Sequence, residues 1–366
     1  MTEVIEVRKS LDDFIEFPLT LYSKDPLFVP QLKKQMREHF SEKNPFFRHT
    51  DARYLLAISE GRTAGRIVAF VNRNHNDFHH DKTGFFGFFE CVNDLSVAGA
   101  LLDDAARYLK GKGMETMRGP MNFSTNEECG FLREGFDEPP RIMMPYNPPY
   151  YNELAEGYGM EKSKDLFAYI YEVQDDLPDK VRRVAAIAEK RGIAARPLNM
   201  KKFQDEMKIF RDVYHSAWEN NWGFIPMTDA ELEYMSSMLK EIIIPEMVII
   251  AEKDGVPVGF MGLVPDFNSV LMHMRGRLNP VSIVKALYYS RKITDLRVML
   301  LGIKKEFRNK GVEALLYREG WGPIKRGNYR RVEFSWILED NIPVQRTIEL
   351  FGGRIYKKYR IYEKTL

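Results

Sequence analysis

Apolar and polar residues in the second half of the chain recur in the pattern of a mixed α/β fold. Two short apolar runs, residues 248–252 and 258–264, flank Lys253-Asp254-Gly255 and predict an antiparallel hairpin. Two helical stretches precede the hairpin, at 200–218 and 229–243. The segments after it predict strand 296–303, helix 312–325, strand 331–338, helix 343–351 and strand 355–364.

The first half of the chain repeats this order of elements. Its predicted elements are helices 11–22 and 30–39, a hairpin of 54–59 and 66–72, strand 84–92, helix 97–111, strand 115–119, helix 150–158 and strand 166–173. Matching elements in matching order favour a duplicated α+β unit, with domains at 1–174 and 175–366. The polar stretch 174–178, which ends in proline, predicts the boundary. Two unrelated α+β domains are the alternative.

Composition narrows the class of protein. A chain of 366 residues with 44% hydrophobic content is long enough for two cores. Its 54 basic and 52 acidic residues leave a net charge of +2, whereas nucleic-acid-binding proteins usually carry a larger or more clustered positive excess. We therefore expect no nucleic-acid partner. The 24 Phe, 18 Tyr and 18 Met favour apolar grooves as well as large cores.

The cysteines and the N-terminus indicate the compartment. Cys91 and Cys129 are too few for a secreted protein stabilised by disulfides, and they form no Cys-x-x-Cys pair for zinc. Residues 1–22 carry several acids and no apolar run suited to a signal peptide or a bilayer. We expect a cytoplasmic protein with no transmembrane segment.

Histidines cluster once, at His75, His79 and His80 with Asp77 and Asp81. A metal site is one interpretation. Because the spacing matches no known ligand pattern, the cluster is instead predicted to be a solvated loop, and no metal is expected.

The sharpest local feature lies between strand 296–303 and helix 312–325. A basic loop with one glycine leads there into a helix whose first N–H groups are unpaired, carry partial positive charge and can bind a diphosphate. The glycine allows close approach to the backbone. The residues predicted to hold the diphosphate are Arg308, Asn309, Lys310, Gly311, Val312 and Glu313. A solvated basic turn is the alternative.

This segment resembles motif A of the GNAT family of N-acetyltransferases, Arg/Gln-x-x-Gly-x-Gly/Ala, whose amides bind the pyrophosphate of CoA. Arg308 and Gly311 match the motif, but Glu313 stands where the family has Gly or Ala. A carboxylate beside a diphosphate costs Coulomb energy unless it points away or is paired. The resemblance implies acetyl-CoA or a longer acyl-CoA as co-substrate, and Glu313 weakens that expectation.

The end of the chain resembles motif B of the same family. That motif is an Asn, a helix, a Gly-containing turn and a closing strand, supplied here by Asn341, helix 343–351, Gly352-Gly353 and strand 355–364. By the resemblance, Asn341 lies where the sheet splays and the pantetheine arm enters. Many members protonate the departing thiolate with a Tyr on this helix; Ile348 holds that position and cannot donate a proton.

The resemblance implies an α+β architecture of two tandem GNAT-like domains, each a mixed, mostly antiparallel sheet flanked by helices. In the first half, Asn93-Asp94-Leu95-Ser96 precedes the helix without a glycine or a basic residue. We therefore expect a degenerate domain there that lacks the phosphate loop and shapes the acceptor cleft. As a whole, the chain is similar to bacterial GNAT-type proteins implicated in sphingoid-base acylation.

Acyl transfer from a thioester to an amine needs a base, a hydrogen-bond donor for the carbonyl oxygen and close positioning of the reactants. In the family, the donor is a backbone N–H beside a bulge in the strand before motif A. The matching residues are Leu301, Gly302 and Ile303, and glycine in a strand often marks a bulge or a close approach. The base candidates are Glu333, Asp266 and His215. Exposed or packed side chains without a catalytic role are the alternative.

The acceptor side in this family lies against the first helices of the domain. Tyr214, Trp218 and Trp222 in that region predict an aromatic substrate wall, although they also suit ordinary helix packing. A further amphipathic helix is predicted at 281–291, with basic residues beside its apolar positions. Covering an acyl channel, touching a membrane surface and packing on the domain are its three possible roles.

Together these features predict an acyl-CoA-dependent N-acyltransferase that acts on a small-molecule or lipid-like amine. One rival is an aminoacyl-tRNA-dependent transferase, which the small net charge disfavours. The other is a non-catalytic binding or regulatory protein with a decayed CoA site, which Glu313 and Ile348 favour. Acyl length, acceptor and oligomeric state stay open.

Overall fold

The computed structural model describes residues 2–240 and 242–366. The strands in this part are β1 (Thr2–Glu6), β2 (Thr50–Ser59), β3 (Arg62–Asn72), β4 (Thr83–Cys91), β5 (Thr116–Gly119), β6 (Phe131–Glu134), β7 (Glu161–Glu172), β8 (Ile193–Pro197), β9 (Val248–Lys253), β10 (Val256–Pro265), β11 (Asp295–Ile303), β12 (Arg331–Leu338) and β13 (Arg354–Thr365). The α-helices are α1 (Asp12–Leu21), α2 (Lys33–His39), α3 (Arg73–His79), α4 (Leu95–Gly111), α5 (Tyr150–Gly157), α6 (Asp179–Lys190), α7 (Phe203–Trp218), α8 (Asp229–Leu239), α9 (Asn268–Met274), α10 (Pro280–Ser290), α11 (Val312–Arg326) and α12 (Ile342–Leu350).

The strands form one continuous sheet in the order β1-β2-β3-β4-β5-β13-β7-β12-β11-β10-β9-β8, and β6 pairs with β13 beside this path. Neighbours within the described sheet are antiparallel except for β4–β5 and β11–β12. Each parallel pair is connected by a helix, α4 in the first half and α11 in the second, as a parallel crossover requires. The prediction of an α+β fold with a mostly antiparallel sheet is confirmed.

The two halves of the chain exchange their last strands. β7 pairs with β12 of the second half, from Arg331 opposite Glu172 to Leu338 opposite Leu166. β13 pairs with β5 of the first half and also runs along β7. Each half therefore completes the sheet of the other. The predicted boundary at 174–175 falls in the link between β7 and α6, and the division into two domains stays a prediction.

Burial explains why β13 lies between the halves. Tyr359, Ile361 and Tyr362 on this strand are at most 1% exposed. The hydroxyl of Tyr362 donates to Asn152 Oδ1 at 2.9 Å, on a helix of the first half. A polar group in a core needs such a partner, so the hydrogen bond ties the end of the chain to the first half.

Most predicted elements are present, and the errors fall on short segments. β1, β6, β8, α3, α6 and α9 were not predicted. The predicted helix 229–243 ends as α8 at 239, and residue 241 lies outside the described residues. The predicted loop around His75 is wrong: α3 forms there, and His75 is 2% exposed with its ring 4.7 Å from that of Phe85. Contact with Phe85, rather than solvation, accounts for the burial of this histidine.

The exchanged strands make the halves interdependent. Expressed alone, fragment 1–174 would leave the edge of β5 open, and fragment 175–366 would lack β7 between β12 and β13. Because open edges promote aggregation, we expect both fragments to be insoluble alone and to form a soluble complex when expressed together. Size-exclusion chromatography and near-ultraviolet circular dichroism would measure this. A cut at 174–175 made after folding serves as the control, and a well-folded, monomeric 175–366 would contradict the prediction.

Candidate active site

A cleft opens where β11 and β12 separate. The two strands pair in parallel only as far as Val298 opposite Phe334. Each then carries a bulge: Met299 is the extra residue of β11 against β10, and the register of β12 against β7 shifts between Phe334 and Ile337. Bulges bend strands and end pairing, so they account for the splay.

The cleft has a volume of about 200 Å³ and a mainly apolar lining. Side chains of β11, β12 and α12 supply much of it, among them Leu300, Leu301, Ile337, Val344 and Ile348. Residues 125–127 and Cys129 of the first half close one side. Of the described residues that line it, only Glu127 and Arg297 are Asp, Glu, Lys or Arg. The cleft therefore suits an apolar ligand with few polar groups.

The predicted aromatic wall lies along this cleft. Phe210, Tyr214 and Trp218 are spaced four residues apart on α7, so they share one helix face. Their rings stack, with centroids 5.7 Å apart for Phe210 and Tyr214 and 5.0 Å apart for Tyr214 and Trp218. Trp222 lines the cleft as well, and the Tyr214 hydroxyl donates to Asn126 Oδ1. Their role as substrate contacts stays a prediction.

Trp218 also explains Gly302. A Cβ on Gly302 would lie 2.2 Å from Cζ3 of the Trp218 ring, so only glycine leaves room for the ring against β11. The close approach expected at this glycine is thus made by a side chain of the protein, and the bulge lies three residues earlier, at Met299. Leu301 lines the cleft, whereas Ile303 is 6% exposed in the core.

A hydrogen-bonded group forms the polar floor of the cleft. Arg297 and Ser335 line the cleft, and Arg297 Nε donates to Ser335 Oγ at 2.8 Å. Ser335 Oγ in turn donates to Glu333 Oε1, and the Tyr356 hydroxyl donates to Glu333 Oε2. Glu333 is 0% exposed and lies 3.7 Å from Arg297 Nε. A buried carboxylate is thereby connected to the cleft through one serine.

The other two base candidates lie apart from the cleft lining. Asp266 follows β10, where its carboxylate accepts from Ile142 N at 2.9 Å and lies 3.7 Å from Arg141. Burial raises the pKa of Asp266 to about 6. His215 packs against Phe224, and its buried Nε2 has no hydrogen-bond partner among the described residues. Of the three candidates, Glu333 is the one hydrogen-bonded directly to a side chain that lines the cleft, Ser335.

The predicted phosphate loop has the backbone of an anion site. Asn309 and Gly311 have φ values of 58° and 88°, and α11 begins directly after them. The residue before α11 is Gly311, which has no side chain to cap the first amides of the helix. In the first half, by contrast, Asp94 accepts from Ser96 N at 2.7 Å and from Val97 N at 3.4 Å. The corresponding helix start there is already occupied by an acid.

The outer side of the loop borders a second cavity, of about 440 Å³. Its lining residues are Arg191, Ile193, Lys253, Phe307, Arg308, Asn309 and Lys310. Four of these side chains are cationic and none is acidic, so the cavity suits a polyanion. The Arg308 guanidinium, however, donates to the carbonyl oxygen of Ala217 at 2.7 Å, which fastens the loop to α7.

Two features crowd the phosphate loop on its inner side, next to Gly311 and α6. A Cβ on Gly311 would lie 2.7 Å from the Val184 carbonyl oxygen, so α6 takes the close approach that the sequence assigned to a diphosphate. Glu313 is half-buried in the first turn of α11, and burial raises its pKa although Arg308 opposes the shift. Phosphate groups therefore fit the basic outer side better than the space beside Gly311.

α12 covers the cleft beside the splay. Asn341 precedes this helix and lines the cleft, as the motif implied. Ile348 also lines it and is 1% exposed. The position where family members carry a tyrosine is thus filled by a hydrocarbon.

Sequence reasoning missed two of the polar residues in the cleft. Arg297 is the lone charge inside the apolar run 296–303, which was a signal that it has a buried partner. Ser335 shares a strand face with Glu333, but only the tertiary structure shows that it links Glu333 to the cleft.

The described residues contain neither a helix that could span a membrane nor a cluster of three metal-ligating side chains. Within 2–240 and 242–366, no helix has the length and apolar content required to cross a bilayer. The same ranges hold no group of three or more His, Cys, Asp or Glu side chains arranged to bind a metal ion.

Two curated proteins are similar over nearly the whole chain. Protein YghO of Escherichia coli (strain K12) is 34% identical over 373 residues, covering 98% of this chain and 94% of that protein. Bacterial ceramide synthase of Caulobacter vibrioides (strain NA1000 / CB15N) is 31% identical over 370 residues, covering 99% and 96%. No family model matches the chain.

Solved structures show the same fold. A tandem GNAT protein from the clavulanic acid biosynthesis pathway superposes with a TM-score of 0.58 at 12% identity, covering 100% of this chain and 98% of that chain. The glucosamine N-acetyltransferase region of a fungal multi-domain β-N-acetylglucosaminidase superposes with a TM-score of 0.58 at 14% identity, covering 100% and 38%. At these identities the likeness establishes architecture alone.

The contact between Trp218 and Gly302 can be tested directly. Gly302→Ala forces the indole ring away from β11, and we expect it to lower the free energy of unfolding by about 1–3 kcal/mol. Gly262→Ala is the control, because a Cβ there meets no atom within 4 Å; its expected effect stays within about 0.5 kcal/mol. Urea denaturation measures both. Equal stability of the two variants would rule out this role for Gly302.

The raised pKa of Glu313 predicts a pH-dependent gain in stability for Glu313→Gln. The folded state holds the Glu313 proton more tightly than the unfolded state, whose pKa is about 4.3, so the carboxylate destabilises the fold as pH rises. We expect the variant to be more stable than wild type at pH 7 and equal to it below about pH 4. Thermal melts at both pH values, with Glu306→Gln as the control, measure the effect; unchanged melts at pH 7 would contradict the prediction.

Proposed function

The chain belongs to the family of tandem GNAT proteins that includes Protein YghO and bacterial ceramide synthase, and from this premise we propose an N-acyltransferase that moves a long acyl group from CoA to the amine of a sphingoid base. The resemblance predicted from the two motifs is thereby confirmed. The observation that carries the proposal is the apolar cleft at the β11–β12 splay, whose floor connects to a buried carboxylate.

The lining of the cleft favours a long acyl chain over acetyl. Each methylene removed from water contributes about 0.8 kcal/mol, so aliphatic and aromatic walls select for chain length. The stacked rings of Phe210, Tyr214 and Trp218 and the side chains of Leu300 and Ile337 supply such walls. A sphingoid base, itself a long-chain amine, suits the same surroundings.

Glu333 is proposed as the base, acting through Ser335. The amine nitrogen attacks the thioester carbonyl carbon, a C–N bond forms and the C–S bond breaks. The proton that leaves nitrogen passes to Ser335 Oγ while the serine proton passes to Glu333 Oε1, along the hydrogen bond already present. Tyr356 and Arg297 hold the carboxylate in place by donating to it or pairing with it.

The bulge on β11 supports the second requirement, a donor for the carbonyl oxygen. Met299 is left out of the ladder with β10, and β12 has already separated at this point. We therefore propose that its backbone N–H donates to the carbonyl oxygen, where negative charge develops. Ile348 provides no acid for the thiolate, so we propose that it leaves without proton transfer, which a thiol pKa of about 8.5 tolerates.

CoA supplies the activated acyl group and is a substrate of the reaction. The basic outer cavity fits its phosphates, with Lys310, Arg191 and Lys253 as the proposed cationic contacts. Asn341 at the mouth of the splay is the proposed contact for the pantetheine arm. A cytoplasmic location remains the prediction made from the sequence.

One rival function has a specific observation in its favour. Glu313 and the Val184 carbonyl oxygen crowd the inner side of the phosphate loop, as expected of a decayed CoA site in a binding or regulatory protein. A thermal-shift panel with CoA, acetyl-CoA and palmitoyl-CoA distinguishes an acyltransferase from a non-catalytic protein with a decayed CoA site. We expect the largest shift with palmitoyl-CoA, and no shift with any of them would support the decayed site.

Substitutions at the floor of the cleft test the proposed mechanism. Ser335→Ala and Glu333→Gln remove the proton path, and we expect each to lower kcat about 100- to 10,000-fold with palmitoyl-CoA and sphinganine. Release of free CoA thiol measures the rate. Palmitoyl-CoA should still shift the melting temperature of both variants, which separates lost chemistry from lost binding.

The chain provides a matched control for these two variants. Ser163 Oγ donates to Glu363 Oε2 at 2.7 Å, a Ser–Glu pair that does not line the cleft. Ser163→Ala and Glu363→Gln should leave kcat within about two-fold of wild type, since surface changes away from a site have small effects. Equal losses in both pairs, or wild-type rates for Ser335→Ala, would show that Glu333 is not the base.

A further inference from the structure

The helix pair α9–α10, inserted between β10 and β11, presents an apolar face to solvent. Four large apolar side chains of α10 are each more than half exposed: Val281 at 66%, Val284 at 67%, Leu287 at 63% and Tyr288 at 55%. Leu278, just before the helix, is 56% exposed. Single exposed apolar residues are common, but a contiguous group on one short helix marks an interaction surface.

The charge around this face has one sign. Residues 267–294 contain Arg275, Arg277, Lys285, Arg291 and Lys292 and no Asp or Glu. With 52 acids in 366 residues, the chain would place about four acids in 28 residues (28 × 52/366). Apolar side chains bordered by cations alone are complementary to an anionic, apolar partner.

The helix is held in place rather than folding on contact. Asn279 Oδ1 accepts from Ser282 N at 2.9 Å and Ser282 Oγ accepts from Asn279 N at 2.8 Å, a capping box that fixes the start of α10. The rings of His273 and Tyr289 stack across α9 and α10. The Gly276 carbonyl oxygen accepts from Lys33 N at 3.4 Å, which attaches the pair to the first half. The face is therefore pre-organised, and a partner need not order it.

We propose that this face, defined as Leu278, Val281, Val284, Leu287 and Tyr288 with the five surrounding cations, docks the protein on a bilayer that contains anionic phospholipid. Apolar side chains enter the interface between headgroups and acyl chains, and the lysines and arginines contact phosphate groups. A second copy of the chain is a poorer occupant, because the five cations would face each other with no acid between them.

The docking face is connected to the floor of the cleft. Asp266, two residues before α9, accepts from Ile142 N at 2.9 Å. The Ile142 carbonyl oxygen accepts from Arg297 Nη1 at 2.7 Å, and Arg297 lines the cleft. Docking there would bring the cleft to the surface in which a long-chain amine is dissolved. The role of docking in reaching a long-chain amine rests on the proposed function, whereas the docking itself does not.

Flotation with vesicles tests the proposal on the full chain. We expect wild type to float with vesicles of phosphatidylcholine and phosphatidylglycerol, weakly with phosphatidylcholine alone, and less as salt is raised. Val284→Glu with Leu287→Glu should lower the bound fraction at least about ten-fold. Val256→Glu is the matched control, because Val256 is 57% exposed on the β9–β10 turn, and it should float like wild type.

A second variant keeps the test decisive if the first does not fold. Lys285→Glu with Arg291→Glu changes only exposed side chains and should lose binding to the anionic vesicles. Flotation of wild type that does not depend on phosphatidylglycerol, or variants that float like wild type, would overturn the proposal. The palmitoyl-CoA thermal shift separates the two proposals: its loss with flotation intact rejects the acyltransferase, and the reverse rejects docking.

Discussion

The pairing of β7 with both β12 and β13 is the constraint on which the rest of the structure depends. It merges two sheets into one and places the last strand of the chain against the first half. Tyr356, which donates to Glu333, lies on β13, while Glu333 itself lies on β12. The polar floor of the cleft is therefore assembled from strands that meet only because of this exchange.

The cleft combines an apolar lining with a single polar path. Removing a carboxylate from water is costly unless it is hydrogen-bonded and paired. Glu333 meets that condition through Ser335, Tyr356 and Arg297, so its carboxyl group is held beneath a mainly apolar surface. A hydrogen-bonded carboxyl group that close to an apolar pocket is the arrangement that the proposed proton transfer from an amine requires.

The two halves differ at the start of the helix that connects their parallel strands, α4 in the first half and α11 in the second. At the start of α4, Asp94 caps the amides. A Cβ on Gly87 of β4 would lie 1.7 Å from the carbonyl oxygen of Met121, so the Met121 backbone fills the space beside this strand. Before α11, the equivalent residue is Gly311, which provides no capping side chain, and a basic cavity adjoins the loop. The first turn of α11 nevertheless contains one acid, Glu313.

The sequence by itself determined the order of the longer elements and the glycine loop before α11, because periodicity and turn chemistry depend on neighbours a few residues apart. The sequence did not predict short strands such as β1 and β8, because pairing with neighbouring strands supplies most of their stability. Only the tertiary structure decided that Gly302 accommodates Trp218, that Arg308 binds a backbone carbonyl, and that Ser335 links Glu333 to the cleft. Those outcomes depend on packing and hydrogen bonds between residues distant in the chain, which local patterns do not encode.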